Sequence, residues 1–406
     1  MKTILIASFI LCLTLNELTA CTTVIISGKY TPDGNPLLWK NRDGDKFQNK
    51  IMYFTDGKYN YTGLVNSIDK TGKEIWCGTN SKGFAIMNAA SYNLKDINDT
   101  TKIMDLEGLF IKKALKTCAS LKDFETMLDT MTKPLRVEAN FGVIDAQGGA
   151  AFYEVNNFSV AKFDANDPKI SPLGYIVRTN YSFTGRRNID NGYIRFATAD
   201  ELFSNAAATN DLTVKYIFKY VARCLKHSLT KTDLSRNLSD NPEDPDYVYF
   251  EDYIPRYSSL SSIVIQGVKK GTSPEFTTMW TVLGFPLCSV VIPVWVSGGE
   301  KLPSLLAAAD TSGIAPICNM SLQLKSKCFP ITRIVEKKYI NRNALLNKNN
   351  TGILQKLSPL EDKIFEETEN MMSKWRKSGM AENEIQIYYK HLDEMIRAEY
   401  KRIFNL

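Results

Sequence analysis

A cysteine follows directly on a small residue at the end of an apolar N-terminal run. The run Ile4–Leu15 is followed by the letters NELTAC, and Lys2 stands before it. This order of a basic residue, an apolar run and a small-residue cleavage site is typical of a secretory signal peptide, and it predicts residues 1–20 as that signal. The predicted mature chain therefore begins at Cys21.

A cysteine at the start of a mature chain can supply both groups that acyl transfer needs. Its thiolate can attack an acyl carbon, and its own α-amine, with a reference pKa of about 7.7 to 8.0, can carry the proton to the leaving group. The amine exists only after the signal has been removed. The predicted chemistry at Cys21 is nucleophilic attack on an acyl group, activated by the cleavage that accompanies export.

Histidine offers little support for any other nucleophile. The chain has two histidines, His227 and His391, and both lie in segments with helical periodicity, where packing or surface roles explain them. A Ser-His-Asp or Cys-His site would need one of them as its base. Cys77, in the letters WCGTN, has no plausible histidine partner and is predicted to be a core strand residue. The base must come from elsewhere, which favours the terminal amine.

The same N-terminal pattern has a second interpretation. The letters LTAC also fit the site at which a bacterial lipoprotein cysteine is lipidated and its amine acylated, which would abolish this chemistry. Two features favour the nucleophile: the polar NEL spacer precedes the cut, and CTTVIISG continues directly as a strand with no flexible tether. Both interpretations stay open, and they differ in the chemical state of Cys21.

Composition limits the class of protein. The 406 residues are 44% hydrophobic and 23% charged, which predicts a globular chain with a substantial core. The net charge of +6 is spread without a dense Lys/Arg run, so no nucleic-acid partner is predicted. No later segment has the roughly 18 to 20 consecutive apolar residues of a membrane span. No CxxC or HExxH pattern indicates a metal, and none is predicted.

Seven cysteines remain when Cys12, in the signal, is set aside. In an exported protein this odd number favours at least one free thiol. Cys318 and Cys328 are predicted to form a local bridge, while the pairing of the others stays open. The seven are Cys21, Cys77, Cys118, Cys224, Cys288, Cys318 and Cys328.

Strand and helix patterns alternate in blocks along the mature chain. The letters CTTVIISGKY and PLLWKNRD flank the turn TPDGNP and predict a hairpin with Cys21 at its free end. Further strand pairs are predicted around TNSKG and DAQGG, with two amphipathic helices between them. The segments GYIRFATADELF and LTVKYIFKYVARCLKHSL are predicted as helices, and strands rich in valine and isoleucine follow them.

The chain changes character near Pro330, after which a charged segment has helical periodicity. The apolar stripe of this segment is predicted to pack on the body of the protein. Strand-rich blocks around a helical middle predict an α+β domain of two sheets packed face to face and covered by helices. The predicted organisation is a signal at 1–20, one α+β domain at 21–330 and a helical extension at 331–406.

Several motifs occur in an order that resembles a known superfamily. They are CTTVIISGK, WKNRD, GTNSKGFAIMN, NFGVIDAQGGAAFYE, RTNYSFTG and GYIRF, and they span roughly Cys21 to Trp295. Their order and spacing resemble the N-terminal-nucleophile (Ntn) hydrolases of the choloylglycine hydrolase and acid ceramidase-like superfamily, which includes bile salt hydrolases and penicillin V acylases. The resemblance implies a four-layer αββα sandwich with no metal or organic cofactor.

The resemblance also implies a set of site residues. Cys21 resembles the family's nucleophile, and Asp43 matches the aspartate that the family places near the cysteine amine. The family's basic residue lies three positions before that aspartate, which is Lys40 here, while Arg42 shares a strand face with Lys40. The basic role stays open between these two cations, either of which would favour the thiolate.

Three further polar residues complete the implied set. Asn180, in RTNY, matches the family's oxyanion-stabilising asparagine, and Asn88, at the end of FAIMN, resembles a second asparagine of the pocket. Arg195, in GYIRF, resembles an arginine that closes the site. Asp145 and Glu154, in VIDAQGGAAFYE, are instead predicted to be structural.

The implied activity is hydrolysis of a linear, non-peptide C–N bond in an N-acylated small molecule through an acyl-cysteine intermediate. A bile salt, an N-acyl amino acid, a penicillin V-type β-lactam and a lipid amide are all compatible with it, and acyl transfer to a second amine stays open. The alternative from another class is a lipid-anchored binding protein that keeps the fold without the chemistry. A homo-oligomer also stays open.

Overall fold

The structure is a computed structural model that describes residues 20–102, 105–189, 191–308, 313–331, 333 and 336–406. The predicted signal peptide falls almost entirely outside this part of the chain, which begins at Ala20. Within it, no helix has both the length and the apolar character needed to cross a membrane.

Most of the strands lie in the first two thirds of the described chain. In chain order they are β1 (Cys21–Ile26), β2 (Leu37–Asp43), β3 (Asn49–Phe54), β4 (Tyr61–Asn66), β5 (Cys77–Asn80), β6 (Ala85–Ala90), β7 (Ala139–Ile144), β8 (Ala150–Val155), β9 (Val160–Asp164), β10 (Tyr175–Arg178), β11 (Lys226–His227), β12 (Thr232–Asp233), β13 (Tyr247–Tyr249), β14 (Ser259–Gln266), β15 (Thr278–Leu283), β16 (Ile292–Val294) and β17 (Tyr339–Asn341).

Helices lie between the strands and make up most of the C-terminal part. They are α1 (Glu107–Thr117), α2 (Leu121–Thr130), α3 (Tyr193–Ala208), α4 (Val214–Tyr216), α5 (Pro316–Cys328), α6 (Arg342–Leu345), α7 (Ile353–Ser378) and α8 (Glu382–Phe404). A π-helical turn at Ile217–Val221 continues α4.

The strands form two large antiparallel sheets. Within the described residues, the first sheet has the order β10-β1-β2-β14-β15-β16 and the second is a meander of β3 to β9. The predicted N-terminal hairpin is confirmed, with Cys21 opposite Arg42 and Ile26 opposite Leu37 in the β1–β2 ladder. The β-branched residues of β1 suit a strand that is buried along its whole length.

The two sheets pack face to face, and β1 and β2 lie against β6 and β7. Helix α1 covers β5 and β6 on the outer face of the second sheet, while α3 covers β10 and β1 on the outer face of the first. Trp39 of β2 packs on Phe203 of α3, with ring centroids 6.0 Å apart. The architecture is therefore the expected four-layer αββα sandwich, with core between the sheets and under each helical layer.

The C-terminal helices pack on the first sheet's side of the molecule, as the apolar stripe predicted. The Trp375 ring of α7 meets the Trp295 ring edge-on at 5.3 Å, and Tyr389 of α8 stacks on Trp295 at 5.9 Å. The Trp295 backbone N–H also donates to the Tyr389 hydroxyl at 2.7 Å. Both long helices are thereby held to the end of the first sheet.

One predicted helix is wrong in its second half. The segment LTVKYIFKYVARCLKHSL forms α4 and the π-helical turn, but His227 lies in the short strand β11. Arg223 explains the break, because its buried guanidinium donates to the Pro286 carbonyl at 2.9 Å and pairs with Glu361 at 2.5 Å. Such tertiary contacts outweigh local helical propensity.

The predicted Cys318–Cys328 bridge is also wrong. Both residues lie on α5, whose rise over ten residues separates them by about 15 Å, whereas a disulfide needs Cα atoms within about 7 Å. All seven described cysteines are free thiols. Cys328 Sγ lies 3.7 Å from Cys288 Sγ instead.

The structural roles predicted for Asp145 and Glu154 are confirmed. Asp145 accepts bonds from the backbone N–H groups of Gln147 and Gly149 within the turn and from that of Leu121 at the start of α2. The buried Glu154 carboxylate accepts bonds from Phe183 N and Thr184 N and pairs with Arg178 Nε at 2.9 Å. Glu154 thereby anchors the loop that follows β10.

Replacing Glu154 with alanine is expected to lower the free energy of unfolding by about 3–5 kcal/mol, because it leaves the buried Arg178 without its carboxylate. Asp362→Ala is the matched control, since Asp362 pairs with Lys215 on the surface, where such a pair contributes about 0–1 kcal/mol. Urea unfolding of both variants measures the difference. Equal midpoints would contradict the role given to Glu154.

Candidate active site

Cys21 begins β1 and lies between two strands of the first sheet. Its neighbours across the ladders are Arg42 of β2 and the residues that follow Arg178 at the end of β10. The side chain of Ile25 lies 3.0 Å from the position that a Cβ on Gly142 of the second sheet would occupy. Because side chains alternate along a strand, Cys21 faces the second sheet as Ile25 does. The residue is 6% exposed.

The backbone of Cys21 is bound on both sides. Its nitrogen donates to Asn180 Oδ1 at 2.9 Å, and its carbonyl oxygen accepts a bond from Arg195 Nη1 at 2.6 Å. This nitrogen is an amide in the uncut chain and would be the α-amine after cleavage behind Ala20. The Asn180 oxygen can accept a bond from either form.

Asn180 and Arg195 also hold each other. Arg195 Nη2 donates to Asn180 Oδ1 at 2.9 Å, and Nη1 donates to Thr22 Oγ1 at the same distance. Asn180 Nδ2 donates to the Ala90 carbonyl at 2.9 Å, which ties the site to the end of β6 in the second sheet. The guanidinium of Arg195 therefore fixes both the start of β1 and the asparagine that meets its nitrogen.

Lys40 and Arg42 lie on the same strand face as Cys21. Lys40 Nζ donates to the Trp76 carbonyl at 2.9 Å and to Asn88 Oδ1 at 2.7 Å, and both acceptors belong to the second-sheet side of the interface. Arg42 Nη1 donates to Asn49 Oδ1 at 2.6 Å, and its guanidinium carbon lies 4.8 Å from the centre of the Trp76 ring. The structure thus brings both candidate cations to Cys21.

Burial makes these cations easier to deprotonate. It lowers the pKa of Lys40 to about 8 and that of Arg42 to about 10, while the nearby Cys21 thiolate acts in the opposite direction on both. Burial likewise lowers the pKa of Arg195 to about 10, with the charge of Arg256 as the next cause. At neutral pH all three carry positive charge beside the thiol.

Asp43 has different partners from those expected. Its carboxylate accepts a bond from Arg256 Nε at 2.9 Å, from Ser259 Oγ at 2.6 Å and from Asn41 Nδ2 at 3.1 Å. Being one residue beyond Arg42, it occupies the opposite face of β2, on the α3 side of the sheet. The nitrogen of Cys21 meets Asn180, and Asp43 forms a buried ion pair with Arg256.

Sequence reasoning missed the residues that support the site. Arg256 and Ser259 hold Asp43, Asn49 and Trp76 contact Arg42, and Thr22 is bound by Arg195. Arg256 lies 213 residues from Asp43 in the chain, so no local spacing signals the pair. The WKNRD motif places the polar Asn41 between Lys40 and Arg42. This run of polar residues in a strand next to apolar residues is a local signal of the polar, buried end of β2.

An aromatic cluster lies next to Asn180. The buried Tyr181 packs on Tyr193 at 4.7 Å, on Phe183 at 5.6 Å and on Phe196 at 5.7 Å between ring centroids. Phe183 and Tyr193 are 53% and 51% exposed. The loop after β10 and the start of α3 therefore share a partly exposed aromatic cluster, while the β2 face that Cys21 shares is cationic.

Solved structures similar to this chain include three named amide hydrolases and acylases. A Caenorhabditis elegans ortholog of N-acylethanolamine-hydrolyzing acid amidase has 14% identity and a TM-score of 0.40 over 60% of this chain and 92% of its own. A variant of the conjugated bile acid hydrolase from Clostridium perfringens has 12% identity and a TM-score of 0.42 over 68% and 92%. Penicillin V acylase from Agrobacterium tumefaciens has 12% identity and a TM-score of 0.40 over 70% and 87%.

No family model matches the chain, and no curated protein matches its sequence. TM-scores and identities this low decide nothing about the reaction. The chemistry has to be judged from the residues around Cys21.

Proposed function

We propose that the protein is an exported amidase that hydrolyses a linear C–N bond in an N-acylated small molecule, with Cys21 as its N-terminal nucleophile. The observation that carries the proposal is the binding of the Cys21 backbone on both sides, by Asn180 and Arg195, at the point where two buried cations share its strand face. A cysteine that only filled the core would need neither arrangement. The proposed export rests on the signal pattern of residues 1–20.

The proposed reaction has two halves. The α-amine takes the proton of the Cys21 thiol, the thiolate attacks the substrate carbonyl to form a C–S bond, and the C–N bond breaks as the protonated amine delivers that proton to the departing nitrogen. Water then attacks the thioester while the amine accepts a proton from it, and the C–S bond breaks as the amine returns that proton to the sulfur, which releases the acid and restores the thiol. No cofactor enters either half.

The charges at the site support each step. Lys40 and Arg42 share the strand face of Cys21 and can stabilise negative charge that develops on the carbonyl oxygen. Asn180 and Arg195 hold the nitrogen and the carbonyl of Cys21, so the amine and the thiol keep one orientation. Asn88 orients Lys40 through its side-chain oxygen. As an oxyanion donor, Asn180 would act through Nδ2, which carries two N–H groups and donates one of them to the Ala90 carbonyl.

Trapping the acyl-enzyme tests the proposal. The secreted full-length product should begin at Cys21 with a free amine by N-terminal sequencing and intact mass. Quenching in acid during turnover of an N-acyl amide should then add the mass of the acyl group to the N-terminal peptide. A lipid adduct or a different first residue on an active preparation would overturn the proposal, as would an acyl group on another cysteine.

Lys40 gives the proposal a pH signature. Because burial lowers the pKa of Lys40 to about 8, its charge is lost as pH rises through 8, and activity is expected to fall on that alkaline limb. Lys40→Arg should keep the charge and move the alkaline limb at least one pH unit higher, as measured in kcat/KM profiles from pH 6 to 10. An unchanged alkaline limb in Lys40→Arg would show that another group titrates there.

Unfolding can be separated from this loss of activity. Between pH 8 and 10.5 the unfolded chain binds more protons at Lys40 than the folded one does, so the contribution of Lys40 to the free energy of unfolding rises with pH in that window. Thermal melts across the same pH range check that the fold persists. Activity that falls while the fold persists is then assigned to the charge itself.

A further inference from the structure

Two buried thiols meet where α5 packs on the turn that follows β15. Cys288 lies in that turn, and Cys328 is the last residue of α5, 40 residues further along the chain. Their Sγ atoms are 3.7 Å apart, and both residues are fully buried. Two sulfurs in contact can come to the roughly 2.05 Å of a disulfide by rotation about their Cα–Cβ bonds. The contact therefore offers a covalent link between two elements that are distant in the chain.

The other cysteines of the described residues have different surroundings. Cys118 contacts a threonine hydroxyl, Cys224 accepts a bond from a backbone N–H, and Cys318 donates to the Phe47 carbonyl. Cys21 lies in the candidate active site. An oxidant that meets the chain as it folds therefore finds one pair of thiols that the native packing brings together.

Two buried cations act on this pair of thiols. Burial, followed by the contact with Cys328, raises the pKa of the Cys288 thiol well above its usual value, whereas the charges of Lys325 and Arg223 act in the opposite direction. Lys325 lies one turn before Cys328 on the same helix. Because the thiolate is the form that attacks a disulfide, these cations favour exchange. Burial opposes it, so exchange belongs to the stage before α5 has docked.

Helix α5 supports the segment that leads from β2 into β3. Its Cys318 Sγ accepts a bond from the Asn49 N–H and donates to the Phe47 carbonyl, both at 3.5 Å. Lys325 Nζ, on the same helix, lies 4.0 Å from the centre of the Phe47 ring. Asn49 in turn accepts a bond from Arg42. A link that fixes α5 would therefore also fix the segment that holds Arg42.

We propose that Cys288 and Cys328 form a disulfide in the exported protein, which fastens α5 to the end of β15. The oxidant is a small disulfide such as oxidised glutathione. One thiolate attacks it, which forms a mixed disulfide and releases one reduced glutathione. The second thiolate attacks the protein sulfur of the mixed disulfide, the new S–S bond forms, and a second reduced glutathione leaves. The two glutathione sulfurs thus gain the two electrons and the two thiol protons. The proposal rests on the proposed export, because disulfides persist in oxidising compartments.

Peptide mapping without reductant tests the proposed disulfide. The full-length protein is prepared by secretion and, separately, by refolding the reduced chain in a glutathione buffer poised at about −200 mV. After an acid quench and alkylation, a tryptic digest should contain the Cys288 and Cys328 peptides joined to each other. Trypsin cuts after Lys327, so a bond to Cys328 is distinguished from one to Cys318.

Thermal stability provides a second readout. Reduction should lower the Tm of the wild-type protein by about 2–5 °C, because a disulfide across 40 residues restricts the unfolded chain. It should leave the Tm of Cys288→Ala unchanged, and this comparison within one protein cancels the effect of the cavity that the substitution makes. Cys318→Ala removes another buried thiol of α5 and is the matched control. It should keep both the joined peptides and the wild-type response to reduction.

Neither measurement depends on amide hydrolysis, so the disulfide and the proposed reaction can fail separately. Joined peptides in a protein that cleaves no amide would support the disulfide and count against the reaction. Alkylated thiols at both Cys288 and Cys328 in both preparations would overturn the disulfide and leave the amidase proposal in place. A bond from either residue to a third cysteine would overturn it as well.

Discussion

Replacing Cys21 with alanine is expected to abolish amide hydrolysis, with a fall in kcat on the order of 1,000-fold or more. The variant keeps the α-amine, Arg42 and Asn180, so it can still bind and polarise a carbonyl. It has no sulfur to form the C–S bond, and the covalent route is closed. Release of free acid from an N-acyl amide measures the loss, with intact mass to confirm that the first residue is unchanged.

Cys118→Ala is the matched control for this loss. Cys118 is a buried free thiol like Cys21, but it packs under α1 on the outer face of the second sheet. Its replacement should change activity by less than about twofold. If Cys21→Ala retained a tenth of the wild-type rate, the nucleophile would have to be sought elsewhere. The deeply buried Cys77, whose pKa burial raises to about 12, is a poor candidate for that role.

The hairpin that carries Cys21 could be predicted because its signals are local. A β-branched run, a turn with proline and glycine, and a second apolar strand lie within 23 residues, and the register follows from their lengths. The shared face of Lys40 and Arg42 follows from the two-residue period of a strand alone. The blocks of strands around a helical middle likewise predicted two packed sheets covered by helices, whereas the four-layer αββα sandwich was implied by the resemblance.

The support for Asp43 could not be predicted, because it comes from remote parts of the chain. Strand β14 lies beside β2, with Ser259 opposite Asp43, and this pairing joins segments more than 200 residues apart. The sequence around Arg256 contains no motif, and a buried arginine cannot be told from an exposed one by its neighbours. Asp43 was therefore expected at the cysteine amine, and its partner is an arginine on the other face of the strand.

The motif around Arg195 predicted the residue but not its contacts. The letters GYIRF indicated an arginine at the site but not its contacts, which depend on how α3 packs across β10 and β1. Gly192, just before the helix, has a φ of +99°, and a Cβ there would lie 2.5 Å from Arg195 Nη2. Glycine at this position therefore leaves room for the guanidinium that holds Cys21.

Replacing Arg195 with methionine is expected to lower kcat/KM by about 100- to 1,000-fold with a much smaller effect on folding. The change removes the hydrogen bonds to the Cys21 carbonyl, to Thr22 and to Asn180, so the nucleophile and the asparagine at its nitrogen lose their common anchor. Methionine fills a similar volume without a charge. Removing an unpaired buried charge also removes its desolvation cost, which offsets part of the lost bonding.

The test compares activity with stability in three proteins. Arg195→Lys keeps the charge but cannot bridge three acceptors as a guanidinium does, so it should lose most of the activity as well. Urea unfolding should place both variants within about 2 kcal/mol of the wild type. Activity within threefold of the wild type in Arg195→Met would show that Arg195 only fills space. Full activity in Arg195→Lys, with loss in Arg195→Met, would show that its charge matters and its geometry does not.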